Sequence, residues 1–192
     1  MEEDIRLVRL TLQGSHLAFR QLVERYQHYV FTIAFRILKS REEAEEAAQD
    51  VFVKVHKMLG TFEQKSKFST WLYTIAYRTA IDLSRRKNPG AHSLDDGESF
   101  LQLEDTANIS PVAMMQHQDL HDALQAAINK LRPDDAAIIT LFYLNEKPIK
   151  EIAEITGLTE TNIKTRLFRL REALRQHLSP FWESVGGGGQ DN

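Results

Sequence analysis

Apolar residues recur along most of this chain at intervals of three or four positions, with polar and charged residues between them. This interval predicts amphipathic α-helices, because it places the apolar side chains on one face of each helix. The pattern predicts helices over residues 15–38, 40–59 and 69–87, and then over 112–130, 134–144, 149–155 and 160–178. The predicted fold class is therefore all-α.

Residues that favour helix ends stand at the edges of these segments. Ser15 and Ser40 are typical N-caps, and Glu43 follows Ser40 at the spacing of a capping box. Pro89 ends the third predicted helix, and Pro111, preceded by a serine, suits the first position of the next. The helical signal is thus bounded locally as well as periodic.

The periodicity lapses between these two prolines, where acidic residues occur and basic residues do not. The acids there are Asp95, Asp96, Glu98, Glu104 and Asp105. This composition is typical of a linker. We therefore predict two small helical domains, residues 1–88 and 112–182, joined by an acidic flexible linker over 89–111 and followed by a disordered tail over 183–192.

Composition narrows the possible functions. With 192 residues, 42% of them hydrophobic, the chain has enough apolar side chains for one ordinary core or two small ones. The formal net charge of −3 argues against a generally basic nucleic-acid coat, so DNA binding would rest on local basic clusters. The absence of cysteine excludes disulfides and thiolate chemistry. We expect a cytoplasmic protein with neither a signal peptide nor a membrane span.

The segment 147–174 has the pattern of a helix-turn-helix. Ile149, Ile152 and Ala153 form the apolar face of a short helix, Gly157 supplies the turn, and Ile163, Leu167, Leu170 and Leu174 form the inner stripe of the next helix. Thr161, Lys164, Thr165 and Phe168 then face outward, flanked by Arg166, Arg169 and Arg171. The alternative is a solvated amphipathic helix in a bundle. DNA binding is favoured because the glycine turn, the short first helix and the basic outer face coincide.

A second unusual segment, residues 60–87, interleaves aromatic and basic side chains. It contains Phe62, Phe68, Trp71, Tyr73 and Tyr77 together with Lys65, Lys67, Arg78, Arg85, Arg86 and Lys87. Aromatic rings stack on unpaired bases and cations follow phosphates, so this mixture suits single-stranded nucleic acid. The alternative is that some rings belong to the core, which we favour for Phe68 and Trp71. For the loop 61–66 and for Arg78 we favour DNA.

Helix 40–59 begins with a strongly acidic run. Glu42, Glu43, Glu45, Glu46 and Asp50 stand there against the single basic residue Arg41. Such a surface repels DNA, so it suits either a basic protein partner or simple solvation.

Taken together, the ordered segments resemble the extracytoplasmic-function (ECF) sigma factors over residues 5–178. The segment EEAAQDVFVKV, residues 45–55, is similar to the polymerase-binding helix of sigma region 2. The segment FSTWLYTIAYRTAIDLSRR, residues 68–86, resembles the helix that recognises the minus-10 element, and TETNIKTRLFRLREAL, residues 159–174, resembles the minus-35 recognition helix of region 4.

This resemblance implies a transcription initiation factor that binds core RNA polymerase and promoter DNA and is controlled by an anti-sigma factor. It implies that Glu46, Gln49 and Asp50 dock on the clamp helices of the largest polymerase subunit. The minus-10 contacts would be Phe62, Lys65, Lys67, Trp71, Tyr77, Arg78, Arg85 and Arg86, and the minus-35 contacts Thr161, Lys164, Thr165, Arg166, Phe168 and Arg169. Arg78 stands where many members of the family have asparagine.

Two other function classes compete with this interpretation. An enzyme is disfavoured, because the chain has no glycine-rich phosphate loop, GxSxG or HExxH motif, and we expect no cofactor. His117 and His121 have helical i, i+4 spacing, but without a further nearby histidine a solvated face is more typical than a metal site. A homodimeric helix-turn-helix repressor explains the second half of the chain and leaves the first half unused.

Overall fold

The computed structural model of the chain describes residues 2–87 and 117–186. All the regular secondary structure in these residues is helical, as predicted, and short turns and loops connect the helices. The predicted linker, 89–111, lies outside the described residues.

The first group of helices comprises α1 (Glu2–Leu12), α2 (His16–Leu38), α3 (Arg41–Met58), a 3₁₀ turn (Leu59–Thr61) and α4 (Phe68–Lys87). The second comprises α5 (His117–Lys130), α6 (Pro133–Ile139), a π-helical turn (Thr140–Leu144), α7 (Ile149–Thr156) and α8 (Glu160–Gly186). None of the helices in the described parts of the chain combines the length and hydrophobicity needed to cross a bilayer.

The predicted N-caps are confirmed. The Ser15 hydroxyl accepts a hydrogen bond from the Ala18 amide at 3.3 Å, and the Ser40 hydroxyl accepts one from the Glu43 amide at 3.4 Å. The Glu43 carboxylate, expected to complete a capping box, accepts a bond from Lys87 at the end of α4 instead. Lys87 thus joins the end of α4 to the start of α3.

The structure contains one helix that was not predicted and one that is longer than predicted. The sequence pattern did not predict α1, which packs on α2 through buried Leu7 and Val8 and through a 2.7 Å ion pair between Asp4 and Arg25. At the other end, α8 continues past the predicted end at residue 178 to Gly186. Helix α8 therefore includes residues 183–186, which were expected in the tail, and residues 187–192 lie outside the described ones.

The helix-turn-helix forms as the spacing predicts. Gly157 ends α7 with a φ of +77°, a left-handed conformation that favours glycine, and its amide donates to the Ala153 carbonyl. Ile152 on α7 and Ile163 on α8 are completely buried, and both belong to the apolar core. The buried side of α8 leaves its opposite side facing outward.

The two groups pack against each other and share one continuous apolar core. Helix α4 lies between them: α2 and α3 cover one side, and α6 and α7 cover the other. Its buried residues are consequently distributed around most of the helix rather than along one stripe; they are Phe68, Ser69, Thr70, Leu72, Tyr73, Ala76, Tyr77, Thr79, Ala80, Ile81 and Ser84. The segment predicted to contact the minus-10 strand is therefore also the contact between the two domains.

Candidate functional site

The acidic surface of α3 faces away from the core. Ala47 and Val51 are buried against the rest of the first domain, whereas Glu46, Gln49 and Asp50 are exposed on the other side of the helix. Val53, also exposed, adds an apolar side chain to the same surface. The structure therefore brings the three predicted polymerase-binding residues together on one accessible face.

The outward side of α8 carries most of the predicted minus-35 contacts. Thr161, Lys164, Thr165, Phe168 and Arg169 are all exposed near the N-terminal half of the helix. Phe168 is 70% exposed, which is unusual for a phenylalanine and leaves its ring available to a partner. This placement suits insertion of the helix into a major groove, because the first turns of a recognition helix reach the base edges.

Arg166, the remaining predicted minus-35 residue, is half-buried and bonded within the protein. Its guanidinium donates to the Asn162 side chain at 2.8 Å and to the Asp135 carboxylate of α6 at 3.0 Å. Burial raises the pKa of Asp135 above its ordinary value, although the positive charge of Arg166 acts in the opposite direction. Arg166 therefore ties α8 to α6, and a DNA contact by this residue stays a prediction.

Arg171 has a structural role that its position in the sequence did not indicate. Its Nε donates to the Tyr143 hydroxyl at 2.5 Å, and its guanidinium lies over the Phe142 and Tyr143 rings, 5.5 and 5.7 Å from their centroids. The predicted flanking DNA contact is thus held against the π-helical turn. Only the tertiary fold places these rings beside α8.

The rings of the predicted strand-binding segment form a cluster. Phe62, Phe68 and Trp71 lie with their centroids 5.4–5.9 Å apart. Phe68 is buried, as expected for a core residue, and Trp71 is half-buried. Phe62 is only 9% exposed, so its stacking on a base stays a prediction that this packing disfavours.

The basic side chains of this segment are more accessible. Lys65, Arg78 and Arg86 are exposed, and Arg85 is half-buried. Lys65 forms an ion pair with Glu63 in the loop before α4. All four basic side chains are thus at least partly accessible to solvent.

Tyr77, another predicted minus-10 contact, is bonded within the protein. It was predicted to contact DNA, but it is buried between the domains and its hydroxyl donates to the Asp134 carboxylate of α6 at 2.6 Å. Burial, followed by the charge of Asp134, raises the pKa of Tyr77 far above its ordinary value. In this arrangement the residue joins the two domains, and a base cannot reach its ring unless they separate.

The N-terminal end of α4 is covered by the helix-turn-helix. Lys67 and Thr70 both donate to the Glu151 carboxylate of α7, the threonine hydroxyl at 2.9 Å. Lys147 donates to the Ser69 hydroxyl at 3.0 Å and lies 3.5 Å from Glu151. The sequence analysis did not single out Glu151 or Lys147, because only the packing of the domains brings them to α4.

Metal binding finds no support in the part of the chain that the structure describes. Groups of three or more potential metal ligands do not occur among those residues. The side chains of the candidate pair, His117 and His121, lie outside what is described.

Comparison with protein families gives two matches, in the order that the sequence analysis expected. The family described as Sigma-70 region 2 matches residues 22–89, which contain most of α2 and all of α3 and α4. The family described as Sigma-70, region 4 matches residues 121–174, which contain the helix-turn-helix.

Several curated proteins are similar over most of their length. The chain is 32% identical to the ECF RNA polymerase sigma factor SigW of Bacillus subtilis over 172 residues, 86% of this chain and 91% of that protein. It is 30% identical to the RNA polymerase sigma-H factor of Pseudomonas aeruginosa over 184 residues, 93% and 95% of the two chains. It is 31% identical to the ECF RNA polymerase sigma-E factor of Escherichia coli K12 over 181 residues, 91% and 93% of the two.

Solved structures share the fold at lower sequence identity. CnrH, in complex with the cytosolic domain of CnrY, superposes with a TM-score of 0.67 at 21% identity, covering 92% of this chain and 97% of that chain. The sigma factor RpoE of Bartonella quintana, in complex with the anti-sigma factor NepR, gives 0.61 at 23% identity, covering 84% and 96%.

Proposed function

This chain belongs to the ECF RNA polymerase sigma factors, and we propose that three of its surfaces contact core polymerase, the minus-35 element and the minus-10 element. Such a factor binds core RNA polymerase and directs initiation at promoters through their minus-10 and minus-35 elements. The observation that carries this function is the occurrence of regions 2 and 4 in order on one chain.

The acidic face of α3 is the proposed polymerase surface. Glu46, Gln49 and Asp50 are exposed together, and two carboxylates with an apolar neighbour, Val53, suit a basic protein surface better than DNA. The partner would be the clamp helices of the largest polymerase subunit, as the family resemblance implies.

The outer face of α8 is the proposed minus-35 surface, and Lys164 and Arg169 are its main phosphate contacts. Thr165 and Phe168 face the same way and would reach base edges, since the Phe168 ring is exposed and suits the methyl group of a thymine.

The start of α4 and the loop before it form the proposed minus-10 surface. Lys65, Lys67 and Arg78 would follow the phosphates of the melted strand, while Trp71, half-exposed, offers a ring for stacking. Arg85 and Arg86 extend this basic surface towards the end of α4.

Domain roles, control and location follow from the same proposal. Residues 1–88 would bind polymerase and the minus-10 element, residues 112–182 the minus-35 element, and 89–111 would connect them. An anti-sigma factor is the proposed regulator, because the similar RpoE structure is a complex with the anti-sigma factor NepR. The protein would act in the cytoplasm, where polymerase is, without catalysing a reaction or needing a cofactor.

Run-off transcription with purified core polymerase tests this function. We expect initiation at a defined promoter to depend on the added protein. Initiation without it, combined with protection of palindromic duplex DNA by the protein alone, would favour a repressor instead.

Reversing charge with Glu46→Lys and Asp50→Lys should abolish core binding, and therefore run-off transcription in the same assay. Glu24→Lys, the same charge reversal at an exposed position of α2, should bind core like the wild type.

A further inference from the structure

A carboxylate from the second domain occupies the basic end of the proposed minus-10 surface. Glu151 accepts bonds from the Lys67 ammonium and the Thr70 hydroxyl, and a second ammonium, from Lys147, lies 3.5 Å away. Thr70 belongs to the first turn of α4 and Lys67 is the residue before it, whereas Lys147 belongs to the second domain. The Glu151 side chain is 13% exposed, so its charge is largely withdrawn from water.

This set of donors resembles a site for a backbone phosphate. Lysine ammonium groups, threonine hydroxyls and helix N-termini are the groups that bind nucleic-acid phosphates. A carboxylate presents two anionic oxygens to the same donors. Glu151 and a phosphate of the melted strand therefore compete for Lys67 and Thr70, and both cannot bind at once.

The rest of the domain contact closes over the same helix. Tyr77 donates to Asp134 at 2.6 Å, and the Ser69 hydroxyl accepts from Lys147. Thr70 and Ser69 are buried as a result. A single strand cannot reach this side of α4 while the helix-turn-helix lies on it.

The contact also contains features that weaken it. Among the described residues, both polar atoms of the Asn145 amide and the Nε of Arg36 are buried without a hydrogen-bond partner. A cleft of about 360 Å³, lined by Tyr26, Tyr73 and Asn145 among others, remains between the domains. Unsatisfied buried groups and open space both reduce the stability of an interface, so this one is suited to opening.

We propose that Glu151 is an autoinhibitory latch: it occupies the phosphate contacts at the start of α4 and holds the free factor closed against melted promoter DNA. Binding to the melted strand then requires that α7 leave α4. The inference rests on the proposed minus-10 surface. It adds that this surface is blocked from within the same chain until the domains separate.

Replacing Glu151 by glutamine tests the latch, since Glu151→Gln keeps the shape of the side chain and removes its charge. When part of the protein is closed, the apparent affinity for the strand is the affinity of the open form multiplied by the fraction of molecules that are open. We expect the free full-length variant to bind the non-template strand of the promoter used for run-off about tenfold more tightly, a factor typical of one lost charged hydrogen bond. Fluorescence anisotropy of the labelled strand measures this affinity.

The matched control is Glu154→Gln. Glu154 is an exposed residue of the same helix, and its replacement removes the same charge. It should bind the strand like the wild type. If both variants bind more tightly by the same factor, general repulsion of DNA by the acids explains the gain and the latch is refuted. If Glu151→Gln binds like the wild type, the latch is likewise refuted.

Opening is measured independently by energy transfer between dyes. The chain has no cysteine, so Gln27→Cys and Gln176→Cys provide two exposed and unique attachment points, one in each domain. Glu151→Gln should lower the transfer efficiency, and so should Tyr77→Phe, which removes a different bond of the same contact. Unchanged efficiency in both variants would refute the latch.

The proposed function and the latch fail in different ways. We expect saturating core polymerase to hold the domains apart, so Glu151→Gln and the wild type should give equal run-off transcription. Wild-type protein that supports no run-off would refute the proposed function. Normal run-off with unchanged strand affinity and unchanged transfer efficiency would refute only the latch.

Discussion

At the scale of single residues, the pair formed by Asp135 and Arg166 shows how the helix-turn-helix is held in shape. Asp135 is buried at the start of α6, and Arg166 reaches it from α8 at 3.0 Å. Each charge is costly to bury alone, and the pair compensates this cost. The outward pattern of α8 predicted Arg166 as a DNA contact, because nothing in the local sequence reveals an aspartate 31 positions earlier.

Removing Asp135 should destabilise the protein. In Asp135→Ala the half-buried guanidinium of Arg166 loses its acidic partner, and breaking such a pair lowers the free energy of unfolding by about 3 kcal/mol. Urea unfolding followed by circular dichroism measures this value. As a control, Glu172→Ala breaks the exposed pair with Arg175 and should leave the unfolding curve in place. Equal curves for Asp135→Ala and the wild type would contradict a stabilising role for the pair.

At the scale of elements, α4 and α8 differ in how well their surroundings follow from their sequences. Helix α8 has one buried stripe and one exposed face, and its periodicity predicted both. Helix α4 is buried on two sides, because it packs against α2 and α3 and also against α6 and α7. Among its rings only Phe68 and Trp71 were expected in the core, so the burial of Tyr73 and Tyr77 was not predicted. A helix that packs between two partners needs apolar side chains on two sides. The three-to-four-residue spacing does not distinguish this arrangement from a single apolar stripe.

The exposed face of α8 predicts a specific salt dependence. Each lysine or arginine that neutralises a phosphate releases counterions, which gives the binding constant a slope of about −0.9 per contact against the logarithm of salt concentration. We expect Lys164→Ala and Arg169→Ala each to weaken minus-35 duplex binding and to make this slope shallower by about 0.9. Filter binding or anisotropy across a salt series measures it.

Arg175→Ala provides the matched control on the same helix. Arg175 is exposed but lies further along α8, where it pairs with Glu172 at 2.9 Å. Its replacement should leave the slope unchanged. A slope that changes equally in all three variants would mean that the whole helix, and not the proposed face, senses the phosphates.

At the scale of the whole molecule, the two domains are closed on each other around α4. This arrangement conceals part of the proposed minus-10 surface while leaving the α3 and α8 surfaces exposed. Polymerase and the minus-35 duplex can therefore be bound first, and access to the melted strand depends on separation of the domains.

The closed arrangement should depend on pH through Glu151. Burial, the largest influence, disfavours its charge, but the bonds from Lys67 and Thr70 and the charge of Lys147 outweigh it and lower the pKa of Glu151 below its ordinary value of 4.5. Closure is thus favoured at pH values above 4.5, and this advantage is lost as the pH falls through the lowered pKa. The phenol of Tyr73 faces the same carboxylate, and burial raises its pKa, so it stays neutral in this range.

Energy transfer between the two dyes measures this dependence. On acidification from about pH 7 to a pH below the lowered pKa of Glu151, the wild type should lose transfer efficiency as this carboxylate becomes protonated. The Glu151→Gln variant, which has no charge to lose at this position, should change less over the same range. Parallel curves for the two proteins would contradict a role for this carboxylate in closure.

The sequence by itself determined the helices from α2 onwards, most of their caps and the inner and outer faces of α3 and α8, because these depend on spacing within a few turns. It also determined the order of the two regions. Only the tertiary structure decided what lies against α4: the partners of Tyr77, Thr70 and Lys67 come from more than fifty positions along the chain. Local spacing specifies which side of a helix is apolar. Which residues pack against that side depends on the complementarity of the two folded domains.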